Sequence, residues 1–286
     1  MPEASVAVIG GSGFYQIEGL TDIEEVYPNT PFGRPSDSIV IGTLEGRRVA
    51  FLPRHGRGHR HSPTVVPARA NIFALKQLGV QQIISVSAVG SMREEYAPLD
   101  VVIPDQLFDH TKRRVSTFFD DDLVVHVGFA NPFCTTMIAA LYQASLQEGA
   151  KVHRGGTYLC IEGPQFSSRA ESAIYRQWGV DIIGMTAIPE AKLAREAEIC
   201  YAALALVTDY DVWHVSEQPV TVEMVIQNLQ QNVALAKRIV KRSLPLMKGA
   251  GACECSTALR DAIITERSKV SKKTREKLAP IIGKYL

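Results

Sequence analysis

TYLCIEGPQFSSRAESAIYRQWGVDIIGMTAIPE, residues 157–190, alternates apolar runs with glycine- and proline-marked breaks. Residues 158–161 form a short β-prone run that ends before Gly163-Pro164. Ser168 and Glu171 have the spacing of a capping box, a hydroxyl and a carboxylate three positions apart at a helix start. Trp178-Gly179 closes that helix, and residues 180–183 read as a second buried strand. Gly184-Met185-Thr186 then leaves the sheet, and Pro189 falls in the first turn of the next helix, where its missing N–H is harmless. Strand, loop, helix, strand, loop is the grammar of an α/β sheet. Such sheets hold ligands in the crevice outside their strand ends.

The totals agree with one large α/β domain. The chain has 286 residues, 46% hydrophobic and 21% charged, which are globular values. A formal net charge of +1 calls for neither nucleic acid nor membrane as a partner. No apolar stretch reaches the ~18 residues of a membrane span. The N-terminus MPEASVAVIGG has no basic head followed by an apolar region, so a cytoplasmic location is expected. Five cysteines are too few for a disulfide scaffold.

Outward from the opening stretch, further loops carry chemistry. Residues 5–9 form a β-prone run before Gly10-Gly11-Ser12-Gly13. That loop reads equally as a tight turn or as a backbone cradle for an anion. Residues 39–43 and 48–52 read as a hairpin turning at Glu45-Gly46. Arg54, Arg57 and Arg60 then alternate with His55, His59 and His61 among glycines. Three interleaved guanidiniums would repel a metal ion, so an anion is the better occupant. A helix from residue 67 to 79 leads to a central strand at 82–86, which ends in the small residues Ser87-Ala88-Val89-Gly90-Ser91. Residues 100–103 form another strand. Asn131-Pro132 is expected to cap a helix whose Phe133, Met137, Leu141 and Ala144 make a core face. Residues 199–207 are nearly all apolar, as in a strand buried on both faces. They run into Thr208-Asp209-Tyr210-Asp211, where two carboxylates need partners. Thr221 starts a long helix with Val222, Val225, Leu229, Val233, Ala236 and Val240 at helical spacing. Cys253 to about Thr265 is expected to be helical, and residues 269–284 to be a solvated basic tail with six basic residues against one glutamate.

Taken together, I-E-G-P-x-F-S-S-R-A-E-S at 161–172 and W-G-x-D-I-I-G-M-T-x-x-P-E-A at 178–191 resemble the trimeric purine nucleoside phosphorylase family, and most closely its 5′-methylthioadenosine phosphorylases. T-P-F-G-x-P-S-D at 30–37 and S-A-x-G-S-x-R-E at 87–94 match in the same order. The resemblance covers about residues 5–245. It implies a mixed sheet flanked by helices in a single catalytic domain, residues 1–248, with a C-terminal helix and tail, 249–286, on the same body. It also implies a homotrimer with sites near subunit boundaries. By the same resemblance, Ser12, Arg54, His55, Ser87, Ala88 and Thr186 hold phosphate. Phe166, Ile183, Met185, His59, Val222 and Val225 line the nucleoside site, and Asp209 and Asp211 meet the base. The partners are then a nucleoside and inorganic phosphate, the latter a co-substrate, with no cofactor and no metal.

The residues fit that chemistry. Phosphate supplies the nucleophile, so the protein needs donors for an anion, a group for the leaving base and exclusion of water. A protonated Asp209 would accept from a 6-amino group and donate to N7, which favours 6-aminopurines over 6-oxopurines and implies a raised pKa. Val222 and Val225 suit a methylthio group, whereas His59 could serve a 5′-hydroxyl. Gly184 stands where some family members carry asparagine. Cys253 and Cys255 leave three alternatives open: reduced thiols, a bridge to Cys200 or Cys134 resembling that of heat-stable archaeal family members, or a redox pair.

Overall fold

A computed structural model describes residues 3–11, 14, 16–214 and 221–286, together with all but the side chains of Met224, Val225, Leu229 and Ala252. Strand β5 (Gln82–Ser91) is its axis. Its first half lies parallel to β1 (Val6–Gly10), which lies parallel to β4 (Arg47–Pro53). Beyond β4 come β3 (Ile39–Leu44) and the outermost strand β2 (Thr21–Val26), both antiparallel. On its other edge β5 runs parallel to β11 (Cys200–Asp209) from Gln82↔Cys200 onward. All ten residues of β11 are buried, as its apolar run requires. The last residues of β5 pair antiparallel with β10 (Ile182–Gly184), which lies beside β9 (Thr157–Ile161) and then β7 (Gln106–His110). β6 (Val101–Ile103) joins β11 to β8 (Val152–Arg154). The result is one mixed sheet of eleven strands among the described residues.

Among the described residues, six α-helices pack around it: α1 (Ala68–Gln77), α2 (Thr135–Gln147), α3 (Arg169–Gln177), α4 (Ala187–Glu196), α5 (Val222–Ser243) and α6 (Lys272–Ile282). The capping box of α3 is complete. Ser168 Oγ accepts from the Glu171 N–H, and Glu171 accepts from the Ser168 N–H at 2.8 Å. The 3–4 hairpin turns at Glu45-Gly46 with φ of 49° and 71°, a left-handed pair suited to the twist of its strands. Phe133, Met137, Leu141 and Ala144 are buried, as their spacing predicts.

Four expectations need correction. The central strand does not stop at Val86. It continues to Ser91, because β10 offers a second pairing partner where β1 ends. Cys134, not Asn131, is the N-cap of α2. Residues 253–265 form short 3-10 turns instead of a helix. The basic tail is no solvated strand of charge. Ser271 caps α6, and Leu278, Ile281 and Ile282 enter the same apolar core as β1 and β11. Strands β2 and β7 carry no apolar run that would mark them, and their burial patterns are largely exposed or mixed.

One buried acid makes stability depend on pH. Burial pushes the Glu196 carboxyl up to about 7, against the pull of the Phe118 N–H that donates to Oε2 at 2.7 Å. The folded value lies above the unfolded one, so the full benefit holds below about 4.5 and is lost as pH rises through about 7. Glu196→Gln keeps an acceptor for Phe118. It is expected to flatten this decline, by up to about 3 kcal/mol between those limits, in urea unfolding followed across pH.

Candidate active site

β1, β4, β5 and β11 run in one direction, so their C-terminal ends face the same way. Gly10, Pro53, the last residues of β5 and Asp209 therefore lie at one edge of the sheet. β10 runs back across that edge, with Ile183 opposite Gly90. Continuing this antiparallel register carries Thr186 toward Ser87. Both hydroxyls stand beside the phenol of Tyr158, whose burial pushes its pKa up to about 12. Neither Tyr158 Oη nor the buried Thr186 Oγ1 completes a hydrogen bond of ordinary geometry among the described residues. Gly184 follows from this packing, since a Cβ there would come within 2.2 Å of Tyr158 Oη.

Arg54 reaches under this edge and is 3% exposed. Its Nε donates to Glu190 Oε1 at 2.5 Å, and Nη2 donates to Glu190 Oε2 at 3.1 Å and Ser85 Oγ at 2.7 Å. Nη1 donates to the Val86 carbonyl at 2.9 Å. Burial opposes the charge, but Glu190 outweighs it and holds the guanidinium ionised. The two-pronged face of the guanidinium is thus taken by a carboxylate. Among the described residues, what Arg54 keeps for a ligand is its charge and one Nη1 hydrogen.

His55 Nδ1 lies 2.8 Å from the His61 carbonyl, which fixes the proton on that nitrogen. Burial, with the Arg54 charge adding, holds the ring down to about 4. Near neutrality its Nε2 is therefore a bare acceptor, and an anion would find a donor in the backbone here and not in the imidazole. The His59 ring stacks on His55 with centroids 4.2 Å apart and is exposed, as is Val222. Ser12 and the Val225 side chain lie outside the described residues.

The acidic pair closes the far side. A register shift between Val207 and Asp209 sets Asp209 opposite Gly90. Bulges re-aim side chains in this way next to active sites. Asp209 Oδ2 accepts from Thr208 Oγ1 at 2.7 Å, and Oδ1 accepts from the Asp211 N–H at 2.8 Å. Burial raises its pKa, and the Asp211 charge adds to that. Burial also raises Asp211, which faces the Ser172 and Ser167 hydroxyls and so ties this loop to the one bearing Phe166. Phe166 is 44% exposed, while Ile183 is buried and Met185 half-buried. Met185 packs against Gly163, and Ala88 lies half-buried on β5 beside Ser87.

Sequence reasoning missed several residues that build this edge. Gly90 carries no side chain because a Cβ would meet Asp209 Oδ1 at 2.9 Å. Asn228 Nδ2 donates to the Thr208 carbonyl at 2.6 Å and Asn232 Nδ2 to the Val207 carbonyl at 3.2 Å, which satisfies the backbone at the shift. Arg114 is the binder of the opening stretch. It donates to the carbonyls of Met185 and Ile188 on one loop and of Ile161 and Glu162 on the other. Lys112-Arg113-Arg114 reads as a solvated basic run, so no pattern marked it.

Residues 5–245 match the family model described as the phosphorylase superfamily. The chain belongs to the phosphorylase superfamily. This phosphorylase is 55% identical over 285 residues to the S-methyl-5′-thioadenosine phosphorylase of Geobacter sulfurreducens, covering 99% of this chain and 100% of the other. Among solved structures, it resembles a methylthioadenosine phosphorylase from an antarctic soil metagenomic library, with a TM-score of 0.92, 51% identity, and 98% and 99% of the two chains covered. It also resembles the methylthioadenosine phosphorylase of Schistosoma mansoni in complex with adenine, with a TM-score of 0.80, 32% identity, and 98% of each chain covered.

Removing one member of the buried ion pair isolates the other. Glu190→Ala is expected to lose about 3–5 kcal/mol of stability, because it strands the Arg54 charge away from water. Denaturant unfolding checks this, and Arg54→Met combined with Glu190→Leu is expected to recover part of the loss.

Proposed function

We propose that this phosphorylase cleaves 5′-methylthioadenosine with inorganic phosphate, giving adenine and 5-methylthioribose 1-phosphate. The observation that carries the proposal is Asp209, a buried acid with a raised pKa at the end of a fully buried strand. A protonated carboxyl there accepts from the 6-amino group of adenine and donates to N7 as negative charge gathers on the departing base. The reaction passes through an oxocarbenium-like ribosyl group, and phosphate attacks C1′ with no protein nucleophile and no cofactor.

The remaining roles follow the family resemblance. Ser12, the charge of Arg54 with the Nη1 hydrogen that no described residue takes, backbone at His55, Ser87 with Ala88, and Thr186 hold phosphate, and Thr186 Oγ1 gains a partner that the described residues do not supply. Phe166, Ile183 and Met185 receive base and ribose. Val222 and Val225 receive the methylthio group, with His59 at its edge. Asp211 positions Asp209 through its N–H. The proposal includes a cytoplasmic homotrimer. Phe166, Ile174, Trp178 and Phe108 are exposed large apolar side chains on or beside this edge, and Phe108 and Trp178 meet edge to face at 5.5 Å, a surface suited to a neighbouring subunit. Among the described residues no helix is long and apolar enough to cross a membrane.

A second reading, phosphorolysis of 6-oxopurine nucleosides or methylthioinosine, draws on the bonds already made to both oxygens of Asp209, which hold it in the accepting state. Methylthioadenosine, adenosine, methylthioinosine and inosine assayed together separate the two. The 6-amino substrates are expected to lead, and release of base is expected to cease when phosphate is withheld. Asp209→Asn is expected to lower kcat/KM for methylthioadenosine by ~10²-fold or more. For the unaltered enzyme that rate is expected to fall as pH rises through the raised pKa, since the donating proton is lost.

A further inference from the structure

Four of the five cysteines converge. The sulfurs of Cys134, Cys200, Cys253 and Cys255 all lie within 4.8 Å of one another. Three of them are buried and Cys253 is half-buried. They come from distant parts of the chain. Cys134 is the N-cap of α2, and its N–H donates to the Tyr201 carbonyl at 2.8 Å. Cys200 opens β11, and its N–H donates to the Gln81 carbonyl at 2.9 Å. Cys253 and Cys255 sit on the 3-10 turns that follow α5. Cys160 is elsewhere, near Arg114.

The spacing decides what such a group can do. A tetrahedral zinc ion at about 2.3 Å from each sulfur sets its ligands about 3.8 Å apart. The set here straddles that value, with Cys200 and Cys253 3.2 Å apart and no pair beyond 4.8 Å. Two disulfides would instead need two tight pairs at about 2 Å. Free thiols gain little from gathering, because S–H is a weak donor and sulfur a weak acceptor.

The surroundings also favour a thiolate. Cys134 lies at the first turn of a 13-residue helix, with Thr136 Oγ1 3.1 Å from its sulfur and the Met137 N–H facing it. Donors of this kind stabilise a sulfur that has given up its proton to a metal.

We propose that Cys134, Cys200, Cys253 and Cys255 bind one zinc ion as a closed tetrathiolate that clamps the C-terminal segment to the sheet. Binding releases one proton from each thiol, four in all, and each sulfur donates an electron pair to the metal. Nothing is oxidised or reduced. The Cys253 thiol, 3.4 Å from the Ala250 carbonyl, gives up that contact. With four protein ligands no position is left for water or substrate, so the site is structural. It also stands at the opposite end of β11 from Asp209, about 30 Å away at the usual rise per residue. The clamp joins α2 and β11 to the segment leading into α6.

The full chain, purified with reductant and without chelator, is expected to hold one zinc per chain by elemental mass spectrometry. After chelation under reducing conditions, titration with cobalt(II) alone is expected to give the intense visible bands of tetrahedral thiolate cobalt. These should saturate at one equivalent and be displaced by zinc. Cys253→Ser is expected to lose the tetrathiolate spectrum and to melt lower than the zinc-loaded chain. The cobalt titration uses the unaltered chain, so it stands even if that variant fails to fold. Cobalt bands absent from a folded chain with five countable thiols would overturn the proposal. Two disulfides that form in preference to metal binding, or iron in place of zinc in the purified chain, would do the same.

Discussion

The edge of this sheet is organised over a single buried ion pair. Arg54 comes from the end of β4 and Glu190 from the first turn of α4. Glu190 also accepts from Ser85 on β5 and from the Tyr201 hydroxyl on β11 at 2.9 Å. The Arg54 guanidinium touches the Val86 carbonyl and, at 3.5 Å, that of Ile9 on β1. Four strands and a helix thus meet on two side chains. Desolvating both charges is costly, and the cost is offset only because nearly every lone pair and proton is used. That completeness leaves little freedom for the strand ends to shift relative to one another, and the candidate ligand positions inherit the rigidity.

Much of this was legible in the sequence, for reasons that differ by element. The burial of β11 follows from an unbroken apolar run, because a strand covered on both faces tolerates nothing else. Helix α3 announces itself through local chemistry, since both halves of a capping box lie within four residues. The role of Arg54 was harder. An arginine among histidines and glycines reads as an anion trap, and only tertiary structure reveals that a carboxylate 136 positions later reaches it first. Arg114 was illegible for a related reason. A charge is read as solvated by default, and its partners are backbone carbonyls, which leave no trace in a side-chain pattern. The tail misled through composition. Six cations concealed the spacing of Leu278, Ile281 and Ile282, which is what buries α6.

Absent atoms shape the pocket as much as present ones. Gly90 and Gly184 are both places where a methyl group would strike a polar side chain, Asp209 in one case and Tyr158 in the other. With an asparagine at the second position, the tyrosine hydroxyl could not lie where it does here. The two positions are sterically linked, so Gly184 makes room for a hydroxyl beside Ser87 and Thr186. It reads as a gap in a motif only when the partner is out of view.

The backbone irregularity beside Asp209 ties the acid to a helix that, among the described residues, makes no hydrogen bond to its carboxyl group. Asn228 and Asn232, one turn apart on α5, hold the Thr208 and Val207 carbonyls. A random-mutagenesis library screened for a new base preference should therefore yield hits on this helix as well as in the pocket. Variants there would retune acidity by tilting a peptide plane, without touching the nucleobase.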